Sequence, residues 1–336
     1  MRRTRLTLTA LATAAALTLA ACGGGDSGGE EEPDAPAAAE APAEPDFWPL
    51  TGLEVPDGGS ADKKHPVMVV KIDNTASAAP QRGLDAADLV VEELVEGGLT
   101  RLAVLFYEQL PDVVGPVRSM RASDIGIVSP VDASVVTSGA ASQTIARVRE
   151  AGIEFFPEGS AGVYRDTARS APYNVFADLG AVAKAAGGPA GTPSDYFEFG
   201  DPADLPKGQP ARSLQAVFSG GHTTAFRFEG GTYRPQSGYA ADGEGFEADT
   251  VLVLTVPVGD AGYLDPAGNP VPETMFEGTG PAVLAHDGRV VRGTWSKPSL
   301  DGRLTLRTQA GPLPIPPGRT WVALVPRDGG SVGFSR

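Results

Sequence analysis

The chain has 336 residues, 27 Lys and Arg against 42 Asp and Glu, and a net charge of −15. Such an acidic protein is repelled by nucleic acid and by anionic lipid headgroups, so neither is expected as a charge-driven partner. A single cysteine, Cys22, excludes an intramolecular disulfide and any thiolate metal cluster.

The N-terminus opens with Arg2, Arg3 and Arg5, continues with an Ala-rich apolar stretch and ends in Leu19-Ala20-Ala21-Cys22. The apolar part is short for a membrane span and reads as a secretory signal, residues 1–21. Small residues ahead of a cysteine match the bacterial lipobox, in which Cys22 becomes the lipid-modified first residue of the mature chain. The Arg2-Arg3 pair leaves the export route open between the general and twin-arginine systems. Residues 22–46 hold eight acids after Cys22, no base and no large apolar side chain. A segment of that composition cannot bury enough surface to offset its ordering entropy and is expected to be a disordered tether. A flexible coil of that length spans about 25–30 Å. Loss of the signal removes three arginines and no acid, which takes the net charge from −15 to −18. Membrane association then rests on the lipid, with the body facing outward from the cell membrane.

The remainder reads as two domains, 47–195 and 207–331, separated by Gly/Pro/Ala-rich stretches at 184–195 and 200–211. In the first, "HPVMVVKIDN" (65–74) is a compact apolar strand. "ADLVVEELVEGG" (87–98) alternates, with Leu89, Val91, Glu93 and Val95 on one face and Val90, Glu92, Leu94 and Glu96 on the other. "RLAVLFYEQ" (101–109) is its hairpin partner across Gly97-Gly98, and "DASVVTSG" (132–139) is a further strand. Helical spacing follows at 142–152, with Ser142 as N-cap and Gly152 as C-cap, and again at 174–187. The second domain reads as short strands joined by Gly-rich turns, with Asp287-Gly288 a strong hairpin signal and Trp295 and Trp321 as core anchors. The expected class is therefore α+β: a mixed α/β layered N-terminal domain plus a β-rich C-terminal domain, either an antiparallel sheet or a small barrel.

"WPLTGLEV", the stretch from "HPVMVVKIDN" through "GGLTRLAVLF", "VGPVRSMRASD", "YRDTARSAPYN", "GRVVRGTWSKPS" and "IPPGRTWVALVP" occur in that order. Together they resemble the YerB-like bacterial lipoproteins, over nearly everything after the tether. The resemblance implies an extracytoplasmic lipoprotein with an N-terminal and a C-terminal domain of unknown function, and no reaction. Where the family motif carries histidine, this chain has Tyr173.

The leading site candidate is a set of arginines, Arg101, Arg118, Arg121, Arg165 and Arg169, together with Asp124, Asp166 and Asn174. A guanidinium is a planar fork suited to phosphate or carboxylate. Arg118 and Arg121 follow a Gly-Pro turn, and Arg165 and Arg169 flank a loop. The competing reading pairs these arginines with Glu92, Glu93, Glu96, Asp124 and Asp166 in an internal network. Glu93, on an apolar face, needs a cationic partner, which Arg101, Arg118 or Arg121 could supply. Asp73 and Asn74, at a strand end, could orient a ligand or close an Asx turn, and the turn is the favoured reading.

No cofactor motif and no metal spacing is present. His65, His222 and His286 are isolated, no G-x-S-x-G elbow occurs, and "SADK" (60–63) lies in a Gly-rich loop. The expectation is a tethered binding module for an anionic envelope component or partner protein. A hydrolase or transferase using an arginine clamp, with Glu93 or Asp124 in acid-base roles, is the alternative, and a structural adaptor is the third.

Overall fold

The computed structural model describes residues 45–188 and 191–336; Cys22, expected to carry the lipid, and nearly all of the acidic stretch lie outside them. Twenty strands and three short α-helices make up the described chain. The N-terminal half supplies β1 (Met68–Asp73), β2 (Leu89–Leu94), β3 (Thr100–Phe106), α1 (Asp124–Val128), β4 (Ser134–Val136), α2 (Ser142–Glu150), β5 (Phe155–Phe156), β6 (Val163–Arg165), β7 (Val175–Ala177) and α3 (Leu179–Ala186). The C-terminal half supplies β8 (Gln209–Pro210), β9 (Ser213–Val217), β10 (Thr223–Glu229), β11 (Thr232–Pro235), β12 (Thr250–Val256), β13 (Val258–Leu264) and β14 (Pro270–Thr274). It continues with β15 (Gly278–His286), β16 (Arg289–Lys297), β17 (Thr305–Thr308), β18 (Gly311–Pro312), β19 (Thr320–Pro326) and β20 (Ser331–Ser335).

A 12-stranded mixed sheet runs through both halves in the order β18-β17-β16-β15-β12-β19-β2-β3-β1-β4-β5, with β8 paired to β16. The halves join where β19 lies parallel to β2, with Thr320 opposite Leu89 and Leu324 opposite Glu93. The described residues thus form one compact unit. β19, β1 and β3 are buried end to end, and β12 at every position but Thr255, which explains their near-continuous apolar sequences. The expected α/β layering gives way to a mostly β architecture, because the helices are few and no longer than nine residues. The C-terminal half is β-rich, and it contributes both to the open mixed sheet and to a separate antiparallel sheet, β11-β10-β9-β20.

Each face of the large sheet carries its own core. On one, Val70, Ile72, Val90, Leu102, Val104, Val251, Trp321 and Ala323 pack against Leu214, Ala216, Phe226 and Tyr233 of the small sheet and Leu179 and Val182 of α3. On the other, Val69, Leu89, Val91, Ala103 and Leu105 pack against Ile125 and Ile127 of α1, Val148 of α2, and Tyr196 and Trp295. The alternation read from 89–95 therefore assigns faces correctly, and both tryptophans are core residues.

Two local expectations are corrected. Ser142 is the first helical residue of α2 rather than its cap; Ala141 precedes it in extended conformation, and the Ser142 hydroxyl donates to Gln143. The stretch 174–187 is not one helix. Val175–Ala177 is a strand opposite β6, and Asp178 then caps α3 by accepting the Ala181 N–H at 2.9 Å. The Val-Phe-Ala segment follows pairing partners that are distant in sequence, which local periodicity does not register.

Candidate functional site

The end of β2 and the start of β3 build two polar clusters back to back. Glu92 and Glu93 are adjacent, both fully buried, and point to opposite faces. The chain turns between β2 and β3 at Gly97 and Gly98, both with positive φ, a conformation that glycine adopts without steric cost.

On the α1 face, Glu93 stands opposite Arg101, which stands opposite Asp73. The cation on Glu93 is none of the three arginines expected, however. It is Lys71, whose Nζ lies 2.8 Å from Glu93 Oε1 and 2.7 Å from Asp124 Oδ1. Lys71 occupies the row beside Asp73 and lies diagonal to Glu93, so its amine reaches a carboxylate that the flanking arginines leave alone. The Ser123 hydroxyl also donates to Glu93, and the Arg121 backbone N–H donates to Asp124 at 2.7 Å. Burial works against the charged amine, but the Asp124 and Glu93 carboxylates outweigh it and hold the Lys71 pKa above its usual value. Burial, aided by the second carboxylate, pushes the Asp124 pKa up against the pull of Lys71.

The arginines are each occupied by the protein. Arg121 forks onto Glu96 at 2.6 and 2.7 Å. Arg101 donates to the Ser119 carbonyl at 2.9 Å; burial, with Arg121 nearby, lowers its pKa to about 10. Arg118 makes a 2.9 Å ion contact with Asp73, short in distance but not aligned as a hydrogen bond, and lies over the Tyr173 ring. Arg165 forks onto Glu158 and donates to Asn174 Oδ1 at 2.6 Å. Arg169 donates to the Ala78 and Pro80 carbonyls, both at 3.1 Å, over Phe176. Asp166 accepts the Ala168 N–H at 2.9 Å. Asp73 closes the expected Asx turn by accepting the Thr75 N–H at 3.0 Å.

The opposite face holds a different arrangement. Glu92 Oε1 accepts from Thr224 Oγ1 at 2.7 Å, Thr100 Oγ1 at 2.8 Å and Asn74 Nδ2 at 3.0 Å, with His222 Nε2 at 3.1 Å. Glu92 Oε2 accepts from Trp321 Nε1 at 3.2 Å. These partners come from both halves of the chain. They meet because the β9–β10 turn docks on the β2–β3 turn: Ser219 Oγ donates to the Gly98 carbonyl at 2.6 Å and accepts the His222 N–H. Asn74, His222, Thr224 and Trp321 line one end of a cleft of about 370 Å³. Its far wall is the loop 236–247, pinned to the N-terminal half by Gln81–Tyr239 and Gln81–Ala241 backbone bonds and by Arg82 Nε, which donates to both Glu244 carboxylate oxygens. None of the five candidate arginines lines this cleft.

Sequence reading singled out one residue of this site, Asn74, as able to orient a ligand, and missed the rest. Its other signals were the paired acids inside "VVEELV" and a histidine beside a Gly-Gly turn, and 130 residues separate the two.

The sequence matches the family described as "Protein of unknown function (DUF3048)", its N-terminal domain over residues 50–190 and its C-terminal domain over residues 217–322. The chain belongs to this YerB-like family. A Bacillus subtilis (strain 168) protein named "Putative lipoprotein YerB" is 41% identical over 91 residues, which is 27% of this chain and 27% of that protein. The crystal structure of YerB from Bacillus subtilis superposes with a TM-score of 0.70 at 22% identity, over 85% of this chain and 99% of that one, and so shares the fold.

Proposed function

We propose that this protein is a membrane-anchored lipoprotein whose folded body binds a small ligand in the cleft beneath β10 and β11. Three things support the anchor: the lipobox cysteine at Cys22, the acidic tether after it, and a relative whose name describes a lipoprotein. The observation that carries the binding role is the cleft itself, where side chains from both halves gather around one buried carboxylate. Ligand sites are concave, with a few convergent polar groups among apolar walls, and this cleft has both. The arginine edge, expected to hold an anion, is the less favoured place, since its guanidiniums already have protein acceptors.

The anchor is tested by feeding labelled palmitate to cells that make the full chain: wild type takes up label and Cys22→Ser does not. The cleft is tested by thermal-shift screening of small polar molecules against wild type and Ala240→Trp, which places an indole in the cleft. Ligands that stabilise wild type should lose their effect in that variant. If they keep it but lose it in Arg118→Ala, the site is the arginine edge.

A further inference from the structure

The donors and acceptors around Glu92 say what the cleft asks of its occupant. Thr100 and Thr224 each have one hydroxyl proton, and both are directed to Glu92. Asn74 spends its amide protons on Glu92 and on Thr100 Oγ1, the latter at 2.9 Å. Gln81 spends its own on the Asp73 carbonyl at 2.7 Å and on Asn74 Oδ1 at 3.5 Å. The fixed acceptors Glu92 and the Asp73 carbonyl settle which end of each amide is nitrogen. His222 Nε2 has Thr100 Oγ1 at 2.8 Å, Glu92 at 3.1 Å and Thr224 Oγ1 at 3.3 Å. Since both hydroxyl protons are already committed, Nε2 carries a hydrogen, and in that tautomer Nδ1 is an acceptor. The indole N–H of Trp321 is spent on Glu92 as well.

Every side-chain donor at this end of the cleft therefore points inward. At this end of the cleft what remains unpaired among the described residues is acceptor capacity: Gln81 Oε1, His222 Nδ1 and the spare lone pairs of Asn74 Oδ1; the Ser237 and Tyr239 hydroxyls line the rest of it. Charge has the same sign. Glu92 is held by neutral side chains and His222 and by no lysine or arginine, in contrast to Glu93 with Lys71. Around the cleft Glu247 is paired with Arg234 at 2.8 Å, which leaves Asp242 as the net charge of the rim.

We infer that the cleft is selective for a ligand carrying a protonated amine, a primary ammonium group whose hydrogens satisfy these acceptors in the field of Glu92. This rests on the cleft being the binding site. The ammonium does not touch Glu92, which is fully buried. It meets the acceptor layer above it, and the carboxylate acts through a low-dielectric wall where its field is poorly screened.

The test is isothermal titration of the full-length chain in mild detergent with three probes on one ring: cyclohexylammonium, cyclohexanol and cyclohexanecarboxylate. The ammonium should bind about tenfold or more tightly than the alcohol, the scale of one charge-assisted hydrogen bond, and the carboxylate weakest of all. In Glu92→Gln, which keeps the shape and removes the charge, that preference should shrink toward unity. Equal binding of ammonium and alcohol, or tighter binding of the carboxylate, overturns the inference while leaving the cleft as the site. Binding of none of the three, in wild type alone, overturns both.

Discussion

Glu92 and Glu93 are neighbours in one strand, equally buried, and solve the same problem in opposite ways. On the α1 face, Glu93 and Asp124 share the Lys71 ammonium and are sealed from solvent. On the small-sheet face, Glu92 has no cation and is held by four neutral side chains and a histidine beside an open cleft. A paired buried charge is a structural element, whereas a dispersed one beside a cavity keeps an electrostatic bias that a ligand can use. The difference shows why counting charged residues near a sheet end does not find a site: the five candidate arginines are already held by protein acceptors, and none of them lines the open cleft.

The comparison breaks most visibly at Lys71. Lys71→Met leaves two carboxylates buried with no cation and is expected to cost about 3–5 kcal/mol in a denaturant melt. A loss under 1 kcal/mol would mean that the carboxylates are neutral in the fold. Glu92→Gln should cost less, about 1–3 kcal/mol, because it strands donors but no charge. Equal losses for the two variants would erase the distinction between the faces.

Asp88 offers a pH-dependent contrast away from both clusters. Burial pushes its pKa up to about 6, against backbone N–H donors from Tyr107 and Glu108. A carboxyl raised in the fold favours folding fully below its unfolded pKa, and that contribution is lost as pH rises through the folded value. Wild type should therefore lose about 2–3 kcal/mol relative to Asp88→Asn between pH 4 and pH 6.5, read from urea midpoints at each pH. A constant gap between the two proteins would show that Asp88 titrates normally. The smallest effect belongs to the exposed Arg82–Glu244 ion pair that pins the cleft loop: Arg82→Ala should change stability by no more than about 1 kcal/mol. Faster amide hydrogen exchange across 238–245 would be its main consequence, and unchanged exchange would show that the Gln81 backbone bonds hold the loop unaided.

Much of the fold could be read locally. The strands at 68–73, 89–94 and 100–106, the hairpin at Asp287-Gly288 and the burial of Trp295 and Trp321 all follow from alternation, turn chemistry and size. The face assignment of Glu92 and Glu93 followed from strand periodicity alone. What periodicity did not supply was the partner of either. Lys71 sits inside "VVKID" with nothing nearby to mark it, and the arginines drew attention because they were clustered in sequence.

By itself the sequence determined the single cysteine, the acidic stretch after it, the family, and the alternation that buries two consecutive carboxylates on opposite faces. Only the tertiary structure decided which carboxylate is neutralised and which borders a cleft. That choice depends on β19 lying beside β2 and on the β9–β10 turn reaching the β2–β3 turn. Both are pairings across more than a hundred residues, and the energy that selects them comes from packing whole strands together rather than from any local preference.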